Sequence, residues 1–261
     1  MVKLRNWLDR LLPAALIVLS AALFSFGSTR VCGFQGGKRP SNVQQSDSAA
    51  AKRNSRHEQT GAPTVPAAVA SEVLFAYEFT QPQFTIRHIV IEHDANGRGK
   101  ITFERLGEED SFVEPIELSP AVRTKITGHW EALRFLDSET DYQSDKQFPH
   151  LGTMRLRMEQ GARKRTAEFN WTHNDSAAAL INHYRQVADQ AILLFDIAVA
   201  RENQPLNAPK LMELVESMLR RSALSDPRQL VPVLKEITTD EHLPLIARNH
   251  AKRLIKQIEK Y

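Results

Sequence analysis

The chain holds a single cysteine, Cys32, among 261 residues, and that scarcity excludes more than any motif supplies. Beyond Cys32 there is no thiol for a disulfide, a thiolate metal site or a cysteine nucleophile, so whatever folds there is held together by packing. The other usual carriers of chemistry are missing as well. The sequence has no Gly-rich phosphate loop, no His-Glu-x-x-His, no Gly-x-Ser-x-Gly and no paired Cys-x-x-Cys. No catalytic, cofactor-binding or metal-binding residue is therefore designated from sequence, and no cofactor is expected.

A dominant charge is also lacking. The formal net charge is +3, but residues 1–71 hold nine basic and three acidic side chains, while the remainder holds 25 basic and 28 acidic. Residues 72–202 carry 15 basic against 21 acidic, and the tail from Asn203 carries ten against seven. The positive balance thus belongs to the N-terminal region, and no basic stripe interleaved with aromatics follows it. Nucleic acid is not an expected partner.

Long apolar runs are absent except for one, from Leu11 to Phe26, which follows Lys3, Arg5 and Arg10. Its length of roughly 16–17 residues lies between a cleaved signal core and the roughly 20 residues of a comfortable span. Residues 1–34 read as an apolar helix that either stays as a membrane anchor or is cleaved near Ser25-Phe26-Gly27 or Gly27-Ser28-Thr29. With the basic side held inside, everything from Arg30 onward lies beyond the cytoplasm. Cys32 stands where a lipoprotein carries its acylated cysteine, but Arg30 and Val31 replace the small residues such a signal requires. Residues 35–71 are rich in Gly, Ser, Gln, Ala and Pro and have no aromatic side chain. They cannot bury enough apolar surface to offset their backbone entropy and read as a disordered linker, stiffened at Ala62-Pro63-Thr64-Val65-Pro66.

Two domains are expected after it. Residues 72–202 read as α+β, an antiparallel sheet of two hairpins packed by two helices. Val73 to Phe79 and Phe84 to Ile91 have strand composition, and Asp94 to Gly99 supplies turn chemistry before the alternation of Lys100 to Leu106. The Asp-x-Asn-Gly run invites a calcium loop, but the acid needed at its twelfth position is Arg105. A short strand is expected from Pro115 to Leu118. Ser119-Pro120 then opens a helix whose inward stripe is Val122, Ile126, His129, Leu133 and Leu136, with Trp130 and Phe135 beside it. The second hairpin alternates Met154, Leu156 and Met158, turns at Gln160-Gly161, and returns through Ala167, Phe169 and Trp171. Asn174-Asp175-Ser176 caps a long helix with Leu180, Ile181, Tyr184, Ala188, Ala191, Ile192, Phe195 and Val199 inward. Arg155, Arg157, Arg163, Lys164 and Arg165 gather around this hairpin, with Glu159 and Glu168 between them, as on a solvated sheet face.

The stretches Phe84 to Leu106, Ile116-Glu117-Leu118-Ser119 with the helix through Phe135, Asp141-Tyr142, and Met154 to Asn170 resemble a small domain of unknown function from exported bacterial proteins. The resemblance implies a Gly-turned hairpin, a Leu-Ser helix start, a second hairpin and a closing helix. It implies no chemistry. The cysteine pair its members often carry near the first hairpin is absent here.

Residues 203–261 read as a small all-α tail, with Leu211, Leu214, Val215 and Met218 on one helix and Leu230, Val233, Leu234 and Ile237 on the next. Ile246, Ala247, Ala251, Leu254, Ile255 and Ile258 form the stripe of the last. Leu230 to Leu234, Asp240 and Ile246 to Ala251 resemble a HEAT-type helix pair, too short for a solenoid, which implies packing on the preceding domain or a face offered to a protein partner.

The function expected from these features is a binding or scaffolding module of the cell envelope, anchored or exported, with the membrane met through the N-terminal segment. The alternative is a hydrolase or metal protein using His88, His93, His150, His173 and His183 with Glu92, Asp94 and Asp175. His88 and His93 are five apart on an expected strand, which places them on opposite faces unless a bulge intervenes. A structure that gathers two or three of these groups in a pocket would favour the alternative.

Overall fold

Apolar residues at every second position require a partner for one sheet face only, and the computed structural model, which describes residues 72–260, shows how that is met. The expected anchor or signal segment and the linker lie outside these residues. Six strands, β1 (Val73–Thr80), β2 (Ile86–Asp94), β3 (Arg98–Arg105), β4 (Ser111–Glu117), β5 (Thr153–Gln160) and β6 (Arg163–Phe169), make one antiparallel sheet in the order β4-β3-β2-β1-β5-β6. The expected antiparallel sheet of two hairpins is present, with β1 and β4 adding to it. β1 stands between the hairpins, with Phe75 opposite His93 of β2 and Met158 of β5. The strand expected at Pro115 begins earlier, at Ser111. Pro115 lies inside it, which an edge strand tolerates because the missing N–H faces solvent.

The Asp94–Gly99 stretch is a hairpin turn. Gly97 takes φ +82, its N–H donates to the Asp94 carbonyl at 3.0 Å, and Asp94 Oδ1 accepts from Arg98 N at 2.9 Å. The aspartate thus closes the turn through its own side chain.

Helices α1 (Pro120–Leu133) and α2 (Asp175–Asn203) cover the apolar face. Each begins where the capping residues place it: Ser119 Oγ accepts from Val122 N, and Asn174 Oδ1 accepts from Ala177 N at 3.0 Å. Tyr77, Ile91, Ile101, Phe103 and Leu156 of the sheet are fully buried against Ile126, Trp130, Leu180 and Tyr184. The inward stripe of α1 differs from expectation. Trp130 occupies it, spaced by four from Ile126 and by three from Leu133, while His129 stands half-buried at its margin and stacks on His183 with ring centroids 5.3 Å apart.

The tail contributes α3 (Ala208–Arg220), α4 (Val231–Thr239) and α5 (Leu245–Ile258). Their second core takes Met212, Val215, Met218, Leu234, Ile237 and Leu254, and also Leu193 and Ile197 of α2. The face of α3 is therefore rotated from the expected one, with Met212 and Leu219 inside and Leu214 exposed; on α5, His250 is buried and Ile246 exposed. α3 packs against α2 as well as against α5, which moves its buried arc. α5 packs against α3 and α4, and its His250 turns toward α3, where Nε2 lies 3.1 Å from Glu216 Oε2. α2 is correspondingly buried on two sides past Val187. Buried Gln190 fastens the arrangement, donating to Gln229 Oε1 at 2.9 Å and accepting from Asp226 N at 3.0 Å. Gln229 in turn donates to the Glu117 carbonyl at the end of β4, 2.9 Å away. Among the described residues no helix is long and apolar enough to cross a membrane.

Candidate functional site

Among the described residues nothing covers the second face of the sheet, and its side chains form an ordered exposed surface. Strand alternation places Glu78, His88, Val90, Glu92, Lys100, Thr102, Glu104, Arg155, Arg157, Lys164, Thr166 and Glu168 there, and the register decides who meets whom. One row of charges runs from β3 to β6. Arg87 Nε donates to Glu104 at 2.9 Å, His88 bridges Glu104 and Glu78 at 3.2 Å on each side, and Arg155 joins Glu78 at 2.9 Å to Glu168 at 2.7 Å. A β-bulge between Ile86 and His88 lets Arg87 and His88 grip the two oxygens of the same carboxylate. A second row links Lys100 to Glu92 at 3.4 Å, Glu92 to Arg157 at 2.6 Å, Arg157 to Glu159 at 3.6 Å and Glu159 to Lys164 at 2.8 Å.

Between the rows lies a groove of ≈ 390 Å³ floored by Ala76 and Val90 and walled by Glu78, Glu92, Arg155 and Arg157. The His88 hydrogen bond, reinforced by Arg87, holds the Glu104 carboxyl below its ordinary range against the opposing effect of partial burial. Glu168 and Glu78 hold the Arg155 guanidinium above its ordinary value. Solvent screens such surface pairs, and each adds little to stability. The rows therefore act mainly by fixing where charge and polarity stand around an apolar strip.

The basic cluster read from sequence is engaged in place, four of its five members by carboxylates. Arg155, Arg157 and Lys164 belong to the two rows. Arg163 pairs with Asp137 at 2.7 Å, and Arg165 turns to the other side, donating to the carbonyls of Phe135 and Thr140 at 2.7 and 2.6 Å with its guanidinium 4.7 Å from the Phe135 ring centroid.

The histidines of the alternative reading are spread over the molecule. His88 and His93 lie on opposite sheet faces. His150 is exposed in a short 3-10 turn, His173 and Asp175 are exposed before and at the start of α2, and His183 joins His129 on the helical side. Among the described residues no three His, Cys, Asp or Glu side chains come together as metal ligands.

His93 belongs instead to a buried polar chain that only the pairing of distant elements creates. Its Nδ1 lies 2.8 Å from the Asp94 carbonyl, an acceptor only, so Nδ1 carries the proton. Nε2 then accepts from the Tyr184 hydroxyl at 2.8 Å, and that hydroxyl accepts from Trp130 Nε1 at 3.0 Å. Burial lowers His93 below its ordinary value of 6.5, consistent with this neutral tautomer. The His88 bridge was equally hidden from sequence. Its signal was the alternation of Glu78, His88 and Glu104, legible only once β1, β2 and β3 are known to be neighbours.

No family model matches the chain, and no curated protein matches its sequence.

Proposed function

We propose that the protein is a non-catalytic binding or scaffolding module of the cell envelope, held at the membrane or exported by its N-terminal segment, and that the open sheet face is its contact surface. The observation that carries this reading is the groove over Ala76 and Val90 between two rows of fixed charges. A surface of this kind offers an apolar strip for affinity and charges in a set order for selection. The exposed Leu206, Leu245 and Ile246 of the tail support a second contact with a protein partner.

The test places a photo-cross-linking amino acid at Val90 in the full-length protein in its own cells, with Lys252 on α5 as the control position. A discrete adduct from Val90 and none from Lys252 is the expected result. No adduct from Val90 overturns the reading. The hydrolase alternative has the Glu78–His88–Glu104 bridge in its favour, and His88→Ala then abolishes turnover of ester or phosphoester substrates by the purified protein.

A further inference from the structure

We infer that the outer edge of β6 is a docking site for an extended, lysine- or arginine-bearing peptide of a partner protein, which adds to the sheet as a seventh strand. The inference rests on the reading of the chain as a binding module. It starts from the turn between β5 and β6. Gly161 and Ala162 form a two-residue loop with Gly161 at φ +58 and no positive φ at Ala162, as in a type II′ hairpin, and Gln160 stands opposite Arg163. Such a turn makes Gln160 and Arg163 a hydrogen-bonded pair, and the antiparallel pattern then alternates. Arg163, Arg165, Ala167 and Phe169 direct their backbone groups to β5. Lys164, Thr166 and Glu168 direct theirs outward.

Those outward groups find no backbone partner among the described residues: the nearest backbone–backbone bond between β6 and the 136–144 segment joins Ser144 N to the Trp171 carbonyl, beyond the end of the strand, and within the strand it is side chains that cross, Arg163 to Asp137 and Arg165 to the Thr140 carbonyl. They face a cleft of ≈ 520 Å³ whose other wall is Leu136 and residues 138–141, within the range of about 300–1,000 Å³ typical of ligand sites. From Lys164 to Glu168 the edge is about 14 Å long, and an added strand would lie about 4.8 Å away. The opposite edge of the sheet is treated differently. β4 carries Pro115 at its middle, which removes a donor from that edge and discourages pairing.

Charge selects the occupant. Lys164 is engaged by Glu159, Glu168 by Arg155 and Arg165 by the two carbonyls. Exposed Glu139 and Asp141 on the far wall have no cationic partner among the described residues, so a cationic peptide complements them.

The experiment uses the full-length protein and a fluorescein-labelled octapeptide of alternating lysine and valine. Controls are a glutamate-valine peptide and a lysine-valine peptide methylated at the backbone nitrogens of alternate residues. Binding is read by anisotropy and the site by hydrogen–deuterium exchange. The expected result is slowed exchange over residues 163–169, with affinity at least tenfold weaker for either control peptide and for Thr166→Pro, whose lost N–H points outward. Equal affinity for the methylated peptide in both of its possible registers overturns strand addition without depending on any variant's folding. Protection confined to residues 76–92 and 155–157 also overturns it while leaving the binding module in place. Failure of the Val90 cross-link with strong protection of residues 163–169 has the opposite meaning: the edge binds and the open face does not.

Discussion

At the scale of the residue, the buried chain Trp130–Tyr184–His93–Asp94 carries the clearest consequences. Its bonds leave every donor and acceptor in it matched. Tyr184→Phe removes the central hydroxyl, orphaning Trp130 Nε1 and a ring nitrogen of His93, and is expected to cost about 2–6 kcal/mol, from about 1–3 kcal/mol for each buried group left unsatisfied; urea denaturation measures it. The pH dependence has a definite sign. His93 titrates below its ordinary 6.5 when folded, so the unfolded chain binds the proton more readily. Its contribution to stability is complete above 6.5 and is lost as the pH falls below that value through the folded pKa. The urea midpoint is expected to drop between about pH 7.5 and about pH 5.5, and His93→Gln to reduce that drop. His183 is lowered too, by burial and by its neighbour His129, so the variant keeps part of the slope. An unchanged slope would remove His93 as its source.

At the scale of the element, two glycines in non-cleft positions show opposite demands. On β3, a Cβ on Gly99 would stand 1.8 Å from the Glu92 carbonyl oxygen, backbone that cannot step aside. Gly99→Ala is expected to destabilise by about 1–3 kcal/mol or more, through the forced shift of β2 against β3. On α1, Gly128 is exposed and has nothing within 4 Å of its added Cβ. Gly128→Ala is therefore expected to stabilise by about 0.4–1 kcal/mol, by lowering the entropy of the unfolded chain and improving helix propensity. Thermal melts of the two variants beside the parent decide both, and melting shifts of the same sign would contradict the packing described.

At the scale of the whole molecule, α2 joins the two cores. Leu193 and Ile197 are buried by the tail, while Tyr184 and Ile192 are buried with the sheet, and Gln190 and Gln229 tie the tail to the end of β4. Deleting residues 208–261 exposes that side of α2, at about 1.5–3 kcal/mol for each large aliphatic side chain returned to water. The truncated protein is expected to self-associate, as seen by light scattering at concentrations where the full chain does not. A monodisperse, fully stable truncation would show that the sheet domain needs no tail. The Arg105 side chain makes a further tie between elements, pairing with Asp196 of α2 and lying over Phe103 and Phe195, 5.5 and 5.7 Å from their ring centroids.

The sequence by itself determined what depends on neighbours along the chain. Strand alternation, the Asp94 to Gly97 turn, the Ser119 and Asn174 caps and the α+β class all rest on contacts a few residues long. Tertiary structure decided what depends on partners brought from afar. β1 fused two hairpins into one sheet by pairing with β5 about eighty residues away, and so created both rows of charge on the open face. α1 turned Trp130 inward because Tyr184 and Phe75 were there to meet it, and α3 rotated because α2 offered a second surface. Periodicity fixes that a helix has a buried face to within a residue or so. Which residues fill it is settled by the shape of the neighbour, and whether two charges attract is settled by a register no single strand contains.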